Sequence, residues 1–233
     1  MNFRYRNAAV FVLVAAFSLG YASVAQAWVA WTNDTGTADG FTWEGGGSDE
    51  GLFGSPINVG NTFRFYPPNY SALSTDGEGT VTALDRMQVT IHAKAGITLD
   101  KIVIREFGDY NVQGEGSSVD VSGSLIADDL DHFGQTQIDN LTPTPLMPIS
   151  SPGSGTWSAE AEVDLTLDPL PYDNLILILD NNLFAVTDST GDYALIEKKV
   201  VGVGLSVTII PEPATLCLVG FGGLALVRRR RAA

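Results

Sequence analysis

The stretch Trp157-Ser158-Ala159-Glu160-Ala161-Glu162-Val163-Asp164-Leu165-Thr166-Leu167 alternates strictly between apolar and polar residues. Successive side chains of a β-strand point to opposite faces, so this period of two places one face in a core and the other in water. The same spacing would scatter the apolar residues around a helix. The stretch therefore predicts a β-strand with one buried face.

The same alternation recurs in Met87–Ala93 and in Val119–Leu125. Less regular apolar stretches predict further strands at Asn61–Tyr66, Leu99–Phe107, Asn174–Asp180 and Tyr193–Ile210. The run Leu175–Leu179 is continuously apolar, which is typical of a strand covered on both sides. Many short strands of this kind predict an all-β fold, an antiparallel β-sandwich or jelly roll.

Glycine, asparagine and aspartate punctuate these stretches at Asp76–Gly79, Gly114–Gly116 and Asp180–Asn182, and each cluster predicts a turn. A proline-rich run followed by Ser151–Gly155 predicts a long surface loop that crosses from one sheet to the other. The segment Trp28–Gly60 gives no clear pattern.

The first residues have the three parts of a secretory signal peptide. Arg4 and Arg6 supply the positive charge, Ala8–Gly20 is apolar, and Ala25 and Ala27 form a small-x-small cleavage site. We therefore expect a signal helix at residues 1–27, export through the Sec translocon and cleavage by signal peptidase. The alternative is a retained membrane anchor, but the apolar part is shorter than the roughly 20 residues that a span needs.

Residues 211–233 also have three parts: Pro211-Glu212-Pro213, an apolar run at 214–227, and Arg228-Arg229-Arg230-Arg231. A helix of the apolar run would be about 21 Å long, against a hydrocarbon core of roughly 30 Å. The run predicts a short, marginal transmembrane helix. The alternative, a helix packed in a soluble domain, would have to accommodate four adjacent arginines. Arginines tend to stay cytoplasmic, so those at both ends place the region between them outside the cytoplasm.

This order of elements resembles the PEP-CTERM sorting signal of exported proteins of Gram-negative bacteria, which membrane enzymes of the exosortase family process. The resemblance implies that the chain is a substrate: an exosortase would recognise Pro211, Glu212 and Pro213, with Arg228–Arg231 as the cytoplasmic anchor. The enzyme would then remove the tail, and the domain would reach the cell surface or an extracellular exopolysaccharide matrix. The prolines keep the backbone extended and out of the following helix.

Charge and cysteine content limit the function of the middle region, residues 28–210. The chain has 27 acidic and 13 basic residues and a formal net charge of −14, and several of its arginines lie in the two end segments. So acidic a region argues against binding to nucleic acid or to anionic lipid. The only cysteine, Cys217, lies in the apolar tail, so the middle region has neither a disulfide nor a thiol nucleophile.

The densest cluster of potential metal ligands is Asp128, Asp129 and Asp131, followed by His132. Hard cations such as Ca²⁺ bind several converging carboxylate and carbonyl oxygens, so this cluster is a weak calcium candidate. The alternative is a solvated acidic turn. We otherwise expect no cofactor.

Three functions remain open for residues 28–210. The sequence has no recognisable catalytic motif, so we expect a non-enzymatic surface or matrix protein in an exopolysaccharide or biofilm context. The first alternative is a carbohydrate-binding module, because exposed aromatic residues can stack on sugars. The candidates are Trp28, Trp31, Phe41, Trp43, Phe63, Phe65, Tyr66 and Tyr70, although aromatic residues more often fill a core. The second alternative is a secreted hydrolase with two facing carboxylates.

Overall fold

The computed structural model describes residues 28–209, which form fourteen β-strands. In chain order they are β1 (Val29–Ala30), β2 (Gly36–Thr37), β3 (Phe41–Ser48), β4 (Ile57–Val59), β5 (Thr62–Phe65), β6 (Ser71–Thr75), β7 (Gly79–Ala93), β8 (Ile97–Gln113), β9 (Ser118–Asp129), β10 (Thr136–Asn140), β11 (Thr142–Thr144), β12 (Gly153–Asp164), β13 (Asn174–Thr187) and β14 (Tyr193–Ile209). A 3-10 turn, Leu165–Leu167, follows β12.

The strands form two antiparallel sheets of seven. Sheet A has the order β1-β3-β7-β13-β9-β10, with β2 beside β3. Sheet B has the order β11-β12-β8-β14-β5-β4, with β6 beside one end of β14. The inner faces of both sheets share one hydrophobic core. The predicted all-β antiparallel sandwich is confirmed. No helix within residues 28–209 has the length and apolarity required for a membrane span.

Strand β12 shows why this sequence forms a sandwich. Trp157, Ala159, Ala161 and Val163 are all buried against the other sheet. The glutamates between them face water and pair with basic residues of β8, including a Lys101 Nζ to Glu162 Oε1 distance of 2.6 Å. The period of two therefore fills the core from one face and charges the other.

The alternation that predicts a strand as far as Leu167 ends earlier in the structure. The Asp164 side chain accepts hydrogen bonds from the Thr166 amide at 3.0 Å and from the Thr166 hydroxyl at 2.6 Å. This local side-chain bonding competes with the sheet and folds Leu165–Leu167 into the 3-10 turn. Leu167 is left largely exposed instead of buried.

Two further predictions from turn residues are wrong. Asp180–Asn182 lies in the middle of β13 instead of at a turn. Asp180 pairs with Arg86 of β7, and the Asn181 amide donates a hydrogen bond to Glu106 of β8. The predicted long loop does not extend through Ser151–Gly155, since β12 already begins at Gly153. The chain changes sheets at Leu141, between β10 and β11, and Pro143 lies in the edge strand β11, where its missing N–H is tolerated.

Strand β13 is covered less completely than its continuous apolar run predicts. Leu175, Leu177 and Leu179 are fully buried in the core, whereas Ile176 and Ile178 are half-buried on the outer face of sheet A. The outer face of this sheet is therefore partly apolar and partly open to solvent.

The aromatic residues near residue 28 fill one end of the core. Trp31, Phe41, Trp43, Phe63, Phe65 and Tyr70 are buried, and most of their rings meet at edge-to-face or tilted angles. Trp28 and Tyr66 are exposed. Six of the eight candidates therefore lie in the core, as aromatic residues usually do. Only Trp28 and Tyr66 are exposed enough to stack on a sugar.

Candidate functional site

A buried polar cluster, formed by Asp85, Glu106, Asn181 and Lys198, lies between the two sheets. Lys198 Nζ lies 2.8 Å from Glu106 Oε2, and neither side chain is exposed to solvent. The Asn181 amide donates a hydrogen bond to the other oxygen of Glu106, so the cluster joins β13 of sheet A to β8 and β14 of sheet B. The Tyr70 hydroxyl also bonds to sheet A, donating to the Asn181 carbonyl at 2.6 Å.

Asp85 anchors the segment that follows β3. Its carboxylate accepts hydrogen bonds from the Ser48 hydroxyl at 2.9 Å and from the amides of Glu50 at 2.8 Å, Leu52 at 2.7 Å and Phe53 at 3.2 Å. A buried carboxylate is stable only when such donors replace water. Asp85 thus fixes the path of residues 48–53 over the core.

Burial shifts the titration of two groups near this cluster. It lowers the pKa of the Lys198 ammonium group to about 8, although Glu106 and Asp85 favour the charged form. Burial, followed by the charge of Glu106, raises the pKa of the Tyr70 hydroxyl far above its usual range. The Lys198 ammonium group also lies 4.7 Å from the centre of the Tyr70 ring. These groups interact with each other between the two sheets.

No motif in the sequence marks this cluster, but the positions of two charged residues within their strands do signal it. Glu106 is in phase with the buried Ile102 and Ile104, and Lys198 is in phase with the buried Ala194 and Ile196. A charged residue at an inward position of an alternating strand must find a partner across the core. The inward positions of Glu106 and Lys198 in their strands therefore identify both as buried charges, although they do not show that the two pair with each other.

The outer face of sheet A carries a polar groove of about 620 Å³, here named the sheet A groove. Among the residues that line it are Asp49, Arg86, Ser122, Asn140, Asp180 and Asn182. Two of these residues form an ion pair, with Arg86 Nε and Asp180 Oδ1 3.6 Å apart. Carboxylate, amide, hydroxyl and guanidinium groups line the groove, and its lining includes no aromatic ring.

The outer face of sheet B carries a second cleft of about 510 Å³, the Phe107 cleft. Phe107 is 49% exposed there and is paired in register with Ser158 of β12. Other residues that line the cleft include Asp109, Pro145, Thr156 and Lys199. An exposed ring surrounded by hydroxyl and charged groups can pack on an apolar face of a ligand while its neighbours form hydrogen bonds.

The three aspartates of the calcium hypothesis have separate partners. Asp129 is buried and accepts from the His132 ring at 2.9 Å, from Gln135 Nε2 at 2.9 Å and from two turn amides. Asp128 accepts from Thr136 Oγ1 at 2.6 Å, and Asp131 accepts from Asn174 Nδ2 at 2.7 Å. Within residues 28–209, no group of three or more His, Cys, Asp or Glu side chains could hold a metal ion. The calcium site stays a prediction without a converging set of ligands.

The remaining predicted site residues lie outside the described residues. These are Ala25 and Ala27 of the cleavage site, Pro211, Glu212 and Pro213 of the sorting motif, and Arg228, Arg229, Arg230 and Arg231 of the anchor. The signal helix at 1–27 and the short transmembrane helix at 214–227 lie outside them as well.

Comparison with known proteins gives one specific match. Residues 210–231 match the PEP-CTERM protein-sorting motif. No curated protein matches the chain.

Three solved structures show a weak likeness. TmCBM61 in complex with β-1,4-galactotriose is 9% identical, over 76% of this chain and 97% of that chain, with a TM-score of 0.21. Arthrobacter globiformis T6 isomalto-dextranase complexed with panose is 12% identical, over 64% of this chain and 24% of that chain, with a TM-score of 0.25. Eiger TNF from S. frugiperda is 11% identical, over 80% and 93% of the two chains, with a TM-score of 0.22. Scores this low support no conclusion about function.

The motif match is more specific than these structural likenesses. It covers the Pro-Glu-Pro segment, the apolar run and the four arginines on which the resemblance to the sorting signal depends. It implies recognition by an exosortase, export, and a membrane-anchored precursor. The chain carries the PEP-CTERM protein-sorting motif at residues 210–231, after an all-β domain.

Proposed function

We propose that this protein is a non-enzymatic component of the cell surface or extracellular matrix, delivered and processed through its sorting motif. The β-sandwich is the exported part, and an exosortase-type enzyme removes the tail next to it. The final location is the cell surface or an exopolysaccharide matrix, as in a biofilm.

The position of the motif carries this proposal. Strand β14 ends at Ile209, and the matched motif begins at residue 210. Strand β14 pairs with β8 along most of its length and with β5 and β6 on its other side. The tail is thus attached directly to a central strand of the sandwich, so cleavage near the motif would release the whole domain.

The bonds that the buried charged residues form support a non-enzymatic role. Lys198, Glu106 and Asp85 have the burial and partners that catalytic groups often have, but each is enclosed in the core and bonded to another part of the sandwich. Their hydrogen bonds and ion pair connect separate parts of the sandwich. A secreted hydrolase remains an alternative proposal.

The test is to express the chain in a bacterium that has an exosortase and to measure the mature mass by mass spectrometry. We expect the protein to lose residues 1–27 and its tail. The double variant Pro211→Ala/Pro213→Ala and a variant with Arg228–Arg231 replaced by serine should accumulate in the membrane fraction with the tail retained. The control is Pro68→Ala, which alters an exposed proline outside the motif. An unchanged mature mass in the motif variants would overturn the proposal.

A second candidate function is binding of a polysaccharide at the Phe107 cleft. The exposed Phe107 ring, with Ser158, Thr156 and Asp109 around it, supports this candidate. We expect Phe107→Ala to abolish retardation of the protein in gels that contain the polysaccharide it binds. Phe133→Ala removes an equally apolar and more exposed ring elsewhere and should leave retardation unchanged. Equal retardation of both variants would contradict binding at this cleft.

A further inference from the structure

The sorting tail leaves the sandwich from one identifiable end. Ile209, the last residue of β14, is paired with Ile97, the first residue of β8. Just before it, the Thr208 hydroxyl donates a hydrogen bond to Asp100 at 2.5 Å. Strands β12 and β9 finish at the same end, at Asp164 and Asp129, and two loops begin there.

These two loops expose four large apolar side chains. Leu130 and Phe133 lie between β9 and β10, and Leu167 and Leu170 lie between β12 and β13. Phe133 is fully exposed, Leu167 is 75% exposed, and Leu130 and Leu170 are each nearly half exposed. We name these four residues the apolar tip.

Hydrogen bonds hold the two loops against each other. Gln135 Nε2 donates to the Leu170 carbonyl at 2.9 Å, and the Leu130 amide donates at 2.9 Å to the carbonyl of Asn174, the first residue of β13 after the second loop. Gln137 Nε2 also donates to Asp168 Oδ2 at 3.0 Å. The four apolar side chains therefore belong to one bonded unit.

The same unit is joined to the point where the tail leaves. Tyr172, in the second loop, forms a β-bridge with Leu99 of β8. Leu99 is itself paired with Val207 of β14, two residues before the end of the strand. The apolar tip and the start of the tail are thus fixed at the same end of the sandwich.

The short connection between β14 and the apolar run determines what this end of the sandwich faces. Only residues 210–213 separate β14 from the apolar run that begins at Ala214, and even a fully extended chain spans at most about 17 Å over that distance. If the run is inserted in a bilayer, the end of the sandwich that bears the tip lies at the bilayer surface. Clustered exposed apolar side chains on a soluble protein usually mark an interaction site.

We propose that the apolar tip docks on the lipid bilayer in the anchored precursor, with Phe133 and Leu167 inserted among the lipid headgroups. The inference rests on the proposed function in one respect, the insertion of the tail. Docking holds the sandwich at the membrane, so that the Pro-Glu-Pro segment lies at the bilayer surface where an exosortase works. Asp131 and Asp168 lie in the same two loops, so the tip suits a zwitterionic surface better than an anionic one.

The test uses the full chain in phosphatidylcholine vesicles that contain a nitroxide-labelled lipid. A fluorophore on the native Cys217 reports whether the tail is inserted. In a Cys217→Ala background, Phe133→Cys and Leu167→Cys place the same fluorophore at the tip. Leu146→Cys is the matched control, because Leu146 is an equally exposed leucine (84%) in the loop that leads back towards the other end of the sandwich.

We expect quenching at positions 133 and 167 to be several-fold stronger than at position 146. Adding Leu130→Ser/Leu170→Ser should reduce the quenching at position 133 towards the control level, and replacing half the lipid with phosphatidylglycerol should also reduce it.

Three results would overturn the proposal and can be told apart. Quenching at Cys217 without quenching at position 133 would mean that the tail inserts but the tip does not dock. A blue-shifted but unquenched fluorophore at position 133 would mean that protein, such as a second copy of the chain, covers the tip. An unquenched Cys217 fluorophore would contradict tail insertion, and with it the proposed function.

Discussion

Lys198 and Glu106 form an ion pair across 2.8 Å in the interior of the sandwich, on the adjacent strands β8 and β14. Removing two charges from water is costly, and only good geometry with additional hydrogen bonds offsets that cost. The additional bond comes from Asn181 of the opposite sheet. The pair therefore depends on the correct stacking of sheet A on sheet B, and it disfavours other arrangements of the two sheets.

The first prediction concerns the loss of one member of this pair. Lys198→Met leaves the carboxylate of Glu106 buried without its counter-ion, which typically costs about 3–5 kcal/mol. We expect the free energy of unfolding in urea at neutral pH to fall by that amount. The adjacent Lys199 provides the control, because it is exposed and pairs with Glu197 at 2.5 Å. Lys199→Met should have a much smaller effect, and equal losses in the two variants would contradict the importance of burial.

The second prediction is a rise in stability at alkaline pH. Burial lowers the pKa of Lys198 to about 8, whereas an unfolded lysine titrates near its ordinary value of 10.5. Between these values the unfolded chain binds a proton that the native protein does not, so the free energy of unfolding rises with pH. The slope from this one group is at most about 1.4 kcal/mol per pH unit.

The comparison that isolates this contribution is wild type against Lys198→Met, with unfolding measured at several pH values between 8 and 10.5. The stability difference in favour of wild type should increase across this window. Above the ordinary pKa of tyrosine, Tyr70 lowers the free energy of unfolding of both proteins, because burial raises the pKa of its hydroxyl and the native protein retains a proton that the unfolded chain loses. Both proteins contain Tyr70, so this contribution cancels in the difference between them. A constant difference from pH 8 to 10.5 would show that Lys198 titrates normally.

Much of the fold could be predicted from the sequence because most strands bury one face and expose the other to solvent. Apolar and polar residues therefore alternate along them. In β12 the pattern of two is complete from Trp157 to Val163, and the structure buries every apolar residue of that stretch. The pattern fails where polar residues point inward. Asn181 resembles a turn residue beside Asp180 and Asn182, yet it is fully buried in β13, because Glu106 and Tyr70 bind it from outside its own strand. No local pattern contains those partners.

The candidate sites also differ in whether the sequence alone could predict them. The sorting motif is contiguous, so its residues could be predicted from their order alone, and the family match confirms the motif. The Phe107 cleft and the apolar tip are each assembled from segments far apart in the chain. Phe107 and Ser158 meet only because β8 pairs with β12 in one register. The register is set by the whole sandwich, so the sequence offered no direct signal for either surface.

The third prediction concerns the carboxylate of Asp85. Asp85→Ala removes the common acceptor of the Ser48 hydroxyl and of three amides in the segment 50–53. Each hydrogen bond to a charged group contributes about 1.5–3 kcal/mol, and donors left unpaired add to the loss. We expect faster hydrogen exchange at the amides of Leu52 and Phe53, together with reduced global stability. Asp180→Ala, which removes a half-exposed carboxylate on the outer face, should leave the exchange of those amides unchanged. If Asp85→Ala also leaves it unchanged, another group holds the segment.

The fourth prediction compares two glycines on adjacent strands of sheet B. A Cβ atom at Gly108 would lie 2.0 Å from the Glu197 carbonyl oxygen and 2.6 Å from Trp157 Nε1. Gly108→Ala must therefore separate β8 from β14 or displace the buried Trp157, and we expect it to destabilise the protein strongly.

A Cβ atom at Gly202 meets nothing closer than the Arg105 carbonyl oxygen, at 3.9 Å. Gly202→Ala should be neutral or stabilise by up to about 1 kcal/mol, because alanine loses less backbone entropy on folding than glycine. Thermal unfolding of both variants checks the pair. A Gly108→Ala protein as stable as wild type would mean that β8 and β14 do not approach as closely as the sandwich requires, and the register that assembles the Phe107 cleft would then be in error.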